Sequence, residues 1–297
     1  MDGVDEFEAQ RSRLFGIAYR MLGSAVAAED VVQDAYLRWR QADRIANPSA
    51  WLATVVTNLC LTELTSARAR RERYVGPWLP EPVATGDGAL GPVDTVERRE
   101  SVSFALLVVL EQLSPVERAV FVLREAFAYP HAEIAGVLGL TEANSRQIHH
   151  RARRRLDGHR PRASADRDHA LVERFFGAAQ LGDVAALEKL LADDVVSWAD
   201  GGGKVNSARR PVVGANRVAR YLVGITAKFA AASQATVVEV NGDIGVLVWV
   251  EGVPSGLVVP QIDGGAVVAL RIVANPDKLG YLVGQLSRSG ELSGLQG

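Results

Sequence analysis

Only one cysteine, Cys60, stands in the 297 residues. An internal disulfide framework and a cysteine-built zinc site are therefore excluded, and a free buried thiol is the reading that remains. Lysine is nearly as scarce. Of 33 basic residues four are lysines (Lys189, Lys204, Lys228 and Lys278), all in the C-terminal half, so every cation before them is arginine. No apolar run approaches the roughly 18 residues of a membrane span; the longest candidates, Ala105–Leu110 and Val267–Ala274, are core-sized. The opening Met1-Asp2-Gly3-Val4-Asp5-Glu6 is acidic and has no apolar h-region, which predicts a cytoplasmic protein without a membrane partner. A net charge of −2 excludes a chain that coats nucleic acid by a protein-wide excess of cations.

What is present is an ordinary globular composition, 48% hydrophobic and 23% charged. At roughly 150 residues per domain the length predicts two domains, or three small ones. The arginines are grouped. Arg68, Arg70, Arg71 and Arg73 form one knot; Arg146, Arg151, Arg153, Arg154, Arg155, Arg160 and Arg162 form another. Each reads either as a solvated helix end or as a phosphate-binding strip.

Two breaks divide the chain. Gly76-Pro77-Trp78-Leu79-Pro80-Glu81-Pro82 opens a Pro- and Gly-containing stretch that forbids regular helix. Asp157-Gly158-His159-Arg160-Pro161-Arg162-Ala163-Ser164 is polar and turn-prone, a linker composition. The expected order is a helical domain over 1–75, a linker over 76–94, a second helical domain over 95–157, a linker over 158–167 and a last domain over 168–297. In the first segment Phe7, Leu14, Ala18, Met21 and Leu22, then Val31, Ala35 and Trp39, recur at helical steps, and Asn47-Pro48-Ser49 is a turn before Trp51, Val55 and Leu59; four helices are expected. In the second, Phe104, Leu107, Leu110 and Leu113 run up to Ser114-Pro115, an N-cap followed by proline at the first helical position. The third opens with helices near Asp168–Gln180 and Val184–Leu191. Strands follow at Ala235–Val240, Ile244–Val250, Gly256–Ile262 and Ala266–Val273, parted by NG and DG turn signals. The result is an α+β domain whose curved antiparallel sheet wraps a helix.

The most informative stretch runs from Pro130 to Leu156 and has helix-turn-helix anatomy. Ala135 is small where two helices approach, Gly139 supplies a positive φ at the turn, and Thr141 caps the second helix. Ile134, Leu138, Ile148, Ala152 and Leu156 form its apolar seam. The other face of the second helix offers Asn144, Arg146, Gln147, His150, Arg151 and Arg154, side chains suited to phosphates and to base edges in a major groove. An αα-hairpin of any helical bundle is the plainer alternative.

Ala28-Glu29-Asp30-Val31-Val32-Gln33-Asp34-Ala35-Tyr36-Leu37-Arg38-Trp39, then Ser49-Ala50-Trp51-Leu52-Ala53-Thr54-Val55-Val56-Thr57-Asn58, then the helix-turn-helix, resemble regions two and four of bacterial extracytoplasmic-function (ECF) sigma factors, in the family's order. Tyr74–Pro82, Asp200-Gly201-Gly202-Gly203-Lys204 and Asn275-Pro276-Asp277-Lys278-Leu279 resemble the signatures of the subgroup that carries a C-terminal SnoaL-like domain, a cone-shaped α+β fold. The resemblance implies an alternative sigma factor whose partners are core RNA polymerase and promoter DNA. It implies a polymerase contact through Asp30, Gln33, Asp34 and Arg38. Of these, Asp30, Asp34 and Arg38 share one polar helical face by their i, i+4, i+8 spacing. It implies minus-ten reading by Trp51, Thr54, Asn58, Arg68, Arg70 and Arg71, since extruded bases must be stacked or hydrogen-bonded while arginines hold the backbone. A core role for Trp51 stands beside the stacking role. The chain departs from the family at Thr62 and Thr65, where many members carry Asp and Arg or Lys. The arginine-rich second helix of the helix-turn-helix matches the minus-thirty-five reader.

SnoaL-like cones include isomerases and cyclases that move a proton beside a carbonyl. Trp198, Asp200, Asp243 and Asp263 are the pocket candidates here. No acid/base pair is placed by a motif, and histidine is absent after His169. No catalytic residue, metal or cofactor is therefore expected. The resemblance implies instead a fused regulator, in which Trp78, Leu79, Pro80 and Glu81 of the linker meet Asp200, Lys204, Asn275, Asp277 and Lys278; it leaves open an unidentified ligand or regulator at that domain. Two other functions remain as alternatives: a ligand-sensing helix-turn-helix repressor, and a DNA-binding module fused to an isomerase-like enzyme. A repressor leaves the Asp30/Gln33/Asp34 helix and Trp51–Asn58 without a purpose.

Overall fold

The structure, a computed structural model, describes residues 3–42, 45–71, 74–85, 102–156, 169–229 and 233–290. It divides into two compact units, Met1–Arg73 with Thr85–Pro161, and Tyr74–Ala84 with Arg162–Gly297.

The first unit is helical. Helix α1 (Gly3–Leu22) buries Phe7, Leu14, Phe15, Ala18 and Met21. Gly23, at φ 64°, ends it and returns its N–H to Tyr19 O at 2.7 Å, the left-handed close that glycine favours. Ser24 then caps α2 (Ala25–Gln41) by accepting from Ala27 N. Asn47 Oδ1 accepts from Ala50 N at the start of α3 (Pro48–Arg71), with Pro48 at the first turn, where its missing N–H costs nothing. Three helices, rather than four, occupy the described part of this segment, because α3 runs unbroken for 24 residues.

Ser103 caps α4 (Phe104–Leu110), and Ser114 and Glu117 form a reciprocal capping box at the head of α5 (Pro115–Glu125). Gly139, at φ 65°, turns the chain from α6 (His131–Leu138) into α7 (Glu142–Leu156), and Thr141 Oγ1 accepts from Asn144 N. Helix α5 packs on α1 and α3, and α6 on α3, so both helical segments share one unit.

The second unit contains α8 (His169–Gln180), α9 (Val184–Leu190), β1 (Leu191–Asp200), β2 (Val212–Val213), α10 (Ala215–Phe229), β3 (Ser233–Val240), β4 (Asp243–Val250), β5 (Val253–Asp263), β6 (Ala266–Val273) and α11 (Pro276–Ser289). The sheet order is β2-β1-β6-β5-β4-β3. The expected meander β3 to β6 is antiparallel throughout, but β1 lies parallel to β6, so the sheet is mixed rather than antiparallel.

Strand alternation gives the sheet two different faces. On one, Val195, Ala199, Leu270, Ile272, Ile244 and Val246 form a core with Phe175 of α8, Leu187 of α9 and Val218 and Leu222 of α10. Each large side chain fully buried there contributes about 1.5–3 kcal/mol. On the other face lie Trp198, Asp200, Gln261 and Arg271, and α11 packs over β5. Among the described residues no helix is long and apolar enough to cross a membrane.

Candidate functional site

Asp200 is the last residue of β1, and its carboxylate is wholly buried, at 0% exposure. Four donors converge on it. The Leu79 N–H reaches Oδ2 at 2.8 Å and the Lys278 ammonium the same oxygen at 2.7 Å; the Tyr74 hydroxyl (2.5 Å) and the Gly202 N–H (3.1 Å) take Oδ1. Lys278, in the first turn of α11, is 6% exposed and also donates to the Leu79 carbonyl oxygen. Its ammonium lies 4.4 Å from the Trp78 ring centroid and 4.8 Å from that of Tyr74, a half-cage of aromatic faces that favours a desolvated cation. Burial first, and then the hydrogen bond to Asp200, push the Tyr74 hydroxyl well above its ordinary value, so it remains a donor.

The rest of the Tyr74–Ala84 segment is held in the same way. Asn275 caps α11 by accepting from Asp277 N, and its Nδ2 donates to the Tyr74 hydroxyl oxygen at 2.9 Å. Asn241, in the left-handed region at φ 53°, exchanges two hydrogen bonds with Val83: its Oδ1 accepts from Val83 N at 3.1 Å and its N–H donates to Val83 O at 3.0 Å. Ala84 N donates to Gln285 Oε1 at 2.9 Å, and Ala84 bridges Val240 at the edge of the sheet. Leu79, Pro80, Val83 and Ala84 are buried, while Trp78 and Glu81 are half-buried. Lys204 pairs with Asp277 at an exposed position.

The glycine triplet fits this geometry. Gly202 has φ +58°, and a Cβ there would stand 2.3 Å from Asn275 Nδ2; Gly203 has φ +72°, and its Cβ would stand 3.2 Å from Val75. Tyr74, Asn241 and Gln285 were not among the expected site residues. Their partners lie between 126 and 201 residues away in sequence, beyond any local pattern.

The four candidate pocket residues have different surroundings. Asp200 is occupied by the four donors above, and Asp263 is exposed at the end of β5. Trp198 is half-buried beneath the Arg271 guanidinium, 5.7 Å from its ring centroid, and Arg271 donates twice to Gln261 Oε1 at 3.1 Å. Burial lowers Arg271 to about 10, against the attraction of the half-buried Asp243. Among the described residues no group of three or more His, Cys, Asp or Glu side chains could hold a metal ion.

In the first unit α2 exposes Asp30, Gln33, Asp34 and Arg38 and buries Val31, Val32 and Ala35. Trp51 is half-buried, its ring 6.0 Å from that of Trp39; Thr54 Oγ1 donates to Ala50 O, and Asn58 is exposed. Arg68, Arg70 and Arg71 fall in the last turns of α3, with side chains outside the described residues.

On α7, Arg146, Gln147, His150, Arg151 and Arg154 are exposed, Asn144 is half-buried, and Arg146 pairs with Glu142 one turn away. Two contacts hold this helix in place. His131 Nδ1 meets the buried Ser145 Oγ at 3.0 Å, and His149 Nε2 meets Glu125 Oε1 at 2.8 Å, with the two imidazole rings 5.4 Å apart. Neither histidine was singled out by the sequence pattern, which marks only the outward face of the helix.

A helix-turn-helix with an arginine-faced second helix, joined in one unit to a helix of exposed Asp30, Gln33 and Asp34, defines a DNA-reading transcription factor of the sigma class. The family Sigma-70 region 2 matches residues 7–70, and Sigma-70, region 4 matches residues 103–156. The chain is 42% identical over 292 residues to the ECF RNA polymerase sigma factor SigJ of Mycobacterium tuberculosis H37Rv, covering 93% of this chain and 92% of that protein. It is 34% identical over 291 residues to the probable ECF RNA polymerase sigma factor SigI of the same species, covering 94% and 96%. The crystal structure of the SigJ protein superposes with a TM-score of 0.75 at 39% identity, over 93% of this chain and 98% of that one. The chain belongs to the ECF RNA polymerase sigma factors, which bind core RNA polymerase and direct promoter recognition and transcription initiation.

Proposed function

We propose that this sigma factor carries its own regulator, and that the regulator acts through the linker. In this reading residues 1–75 dock on polymerase through Asp30, Gln33, Asp34 and Arg38 and read the minus-ten element through Trp51, Thr54, Asn58 and the arginines of α3. Residues 95–157 read the minus-thirty-five element through Asn144, Arg146, Gln147, His150, Arg151 and Arg154. Residues 168–297 form a clamp and not a catalyst, and the whole works in the cytoplasm. The exposure of Asp30, Gln33, Asp34 and Arg38, and of Arg146, Gln147, His150, Arg151 and Arg154, opposite buried seams on their own helices, supports the assignment.

One observation carries the regulatory half: the buried Asp200 and Lys278 take both backbone groups of Leu79, its N–H and its C=O. A tethered domain meets its linker at high effective concentration, so even a modest clamp is occupied most of the time. Anything that competes for Leu79 redistributes the conformers available to the two promoter readers.

The test combines hydrogen exchange at the Leu79 amide with run-off transcription by core polymerase. The full chain yields promoter-dependent product. Lys278→Met speeds Leu79 exchange and shifts the yield several-fold from wild type. Unchanged exchange and unchanged yield together defeat the clamp, and absence of promoter-dependent product from the full chain defeats the assignment of the promoter readers.

A further inference from the structure

We propose that the two promoter readers hold each other shut through an interaction surface of their own, with Arg118 as its latch, independently of the C-terminal clamp. Arg118 belongs to α5, yet its guanidinium crosses to the other reader. It is 4% exposed, donates to the Met21 carbonyl oxygen at 2.7 Å, and is steadied by Glu111 at 2.8 Å. Met21 is in the last turn of α1, where carbonyls have no partner within the helix and the negative end of the helix dipole draws a cation. Burial lowers the guanidinium to about 10, which leaves it charged at neutral pH.

Two arginines cross the other way, from α1 to the loop between α5 and α6. Arg13 stands 4.9 Å from the Tyr129 ring centroid, and the buried Arg20 stands 5.1 Å from that of Phe127. The surface between the readers therefore includes three arginines, two aromatic faces and a helix end. Contacts of this kind become wet again when the halves part.

The closed form also carries a penalty that the open form lacks. Among the described residues, Arg118 Nε and the Tyr129 hydroxyl are buried without a hydrogen-bonding partner. A buried polar group left unpaired biases an equilibrium on the order of tenfold or more against the state that buries it. A seam that stabilises closure with one set of polar groups and strains it with another is suited to opening on demand.

Opening is required by size. Elements ten and thirty-five positions upstream are separated by about 25 base pairs, or roughly 85 Å at 3.4 Å per step. A compact unit of about 150 residues has a radius of gyration of about 15 Å, and the two readers lie in one such unit. Closed, it cannot lie on both elements. The consequence for transcription rests on the promoter-reading assignment above; the latch does not.

The test is a spin-label distance in the full chain carrying Glu8→Cys and Glu133→Cys, both at exposed positions. Burial raises the Cys60 thiol far above its ordinary value, so it does not compete for label. The wild type gives a short distance. Arg118→Met raises the long-distance population about tenfold, and Tyr129→Phe added to it reverses much of that gain, because it removes a hydroxyl that is dry only when closed. Should Arg118→Met fail to fold, Arg13→Ala serves as the opening variant.

Distances unchanged in a folded opening variant, or Tyr129→Phe widening them, overturn the latch. In run-off transcription at limiting polymerase the opening variant yields more product and Tyr129→Phe alone yields less. Distances that move as stated without any promoter-dependent product sustain the latch and defeat the promoter-reading assignment instead.

Discussion

Asp200 and Lys278 meet at 2.7 Å with both side chains almost wholly removed from solvent, and the residue they share is Leu79, which lies 121 residues before the first and 199 before the second. A buried ion pair adds little stability over an apolar replacement, but removing one member leaves the other charged and dry, which costs about 3–5 kcal/mol. Asp200→Asn is therefore expected to lower the urea-unfolding free energy of the C-terminal unit by an amount of that order. Asp200→Asn with Lys278→Met should lose less than the sum of the two single changes. Additive losses would mean that the two residues do not depend on each other.

Gly202 and Gly264 offer a matched pair. Both have φ +58°, but a Cβ on Gly202 runs into Asn275 at 2.3 Å while one on Gly264 meets nothing within 4 Å. Gly264→Ala should cost only the left-handed backbone penalty, about 1–2 kcal/mol. Gly202→Ala should cost more and should also speed exchange of the Leu79 amide, since Asn275 positions Tyr74. Equal losses in thermal unfolding would show that the crowding at Asn275 relaxes freely.

Much of the fold was legible because local chemistry marks it. Ser114-Pro115, Gly139 and Thr141 each do in the structure what their residue types predict, and β3 to β6 fall within a few residues of the expected strands. Strand β1 was missed for a physical reason. Asp193 and Asp194 interrupt its apolar alternation where the register with β6 shifts between Leu191 and Val196, and its partner lies about 75 residues on.

Helix α11 announces itself in sequence only at its start, where Asn275-Pro276 is an N-cap followed by proline at the first turn. Asn241 supplies one of the NG turn signals and sits in that turn, but its side chain also holds Val83. Arg13, Arg20 and Arg118 escaped notice because each stands apart from the arginine clusters. A crossing between two helical segments leaves no periodic trace in either.

His131 gives a pH dependence of known sign. Burial first, then the neighbouring His149, Arg124 and Arg146, disfavour its charged form in spite of Glu142, and hold it below its ordinary 6.5. As pH falls the unfolded chain takes up this proton before the folded one, so the contribution of His131 is complete above about pH 6.5 and is lost progressively below it. Glu117 acts in a lower window. Burial alone would raise it, but hydrogen bonds from Ser114 and the nearby Arg155 and Arg151 outweigh that and hold it below 4.5, so its contribution is lost only as pH falls under that value. Thermal unfolding between pH 7.5 and 5.5 should therefore drop more steeply for the wild type than for His131→Gln. Parallel curves would remove His131 from the account.

Arg146, Arg151 and Arg154 are exposed on α7, and the DNA-reading roles proposed for them can be separated by salt. An arginine that neutralises one phosphate contributes about 0.9 to the slope of log K against log salt, whereas one that grips a base edge contributes about 1–3 kcal/mol of discrimination. Arg154, near the C-terminal end of the helix, is expected to lower the slope by about one when changed to alanine, equally on matched and mismatched promoters. Arg146, near the N-terminal end that enters a major groove first, must give up Glu142 to reach DNA, and at low salt that exchange is nearly balanced because the pair is exposed. Arg146→Ala should therefore reduce discrimination between promoter sequences more than it reduces the slope. Titration of the polymerase complex on matched and mismatched promoter fragments at several salt concentrations checks both; identical effects of the two changes would mean that α7 does not enter the groove by its N-terminal end.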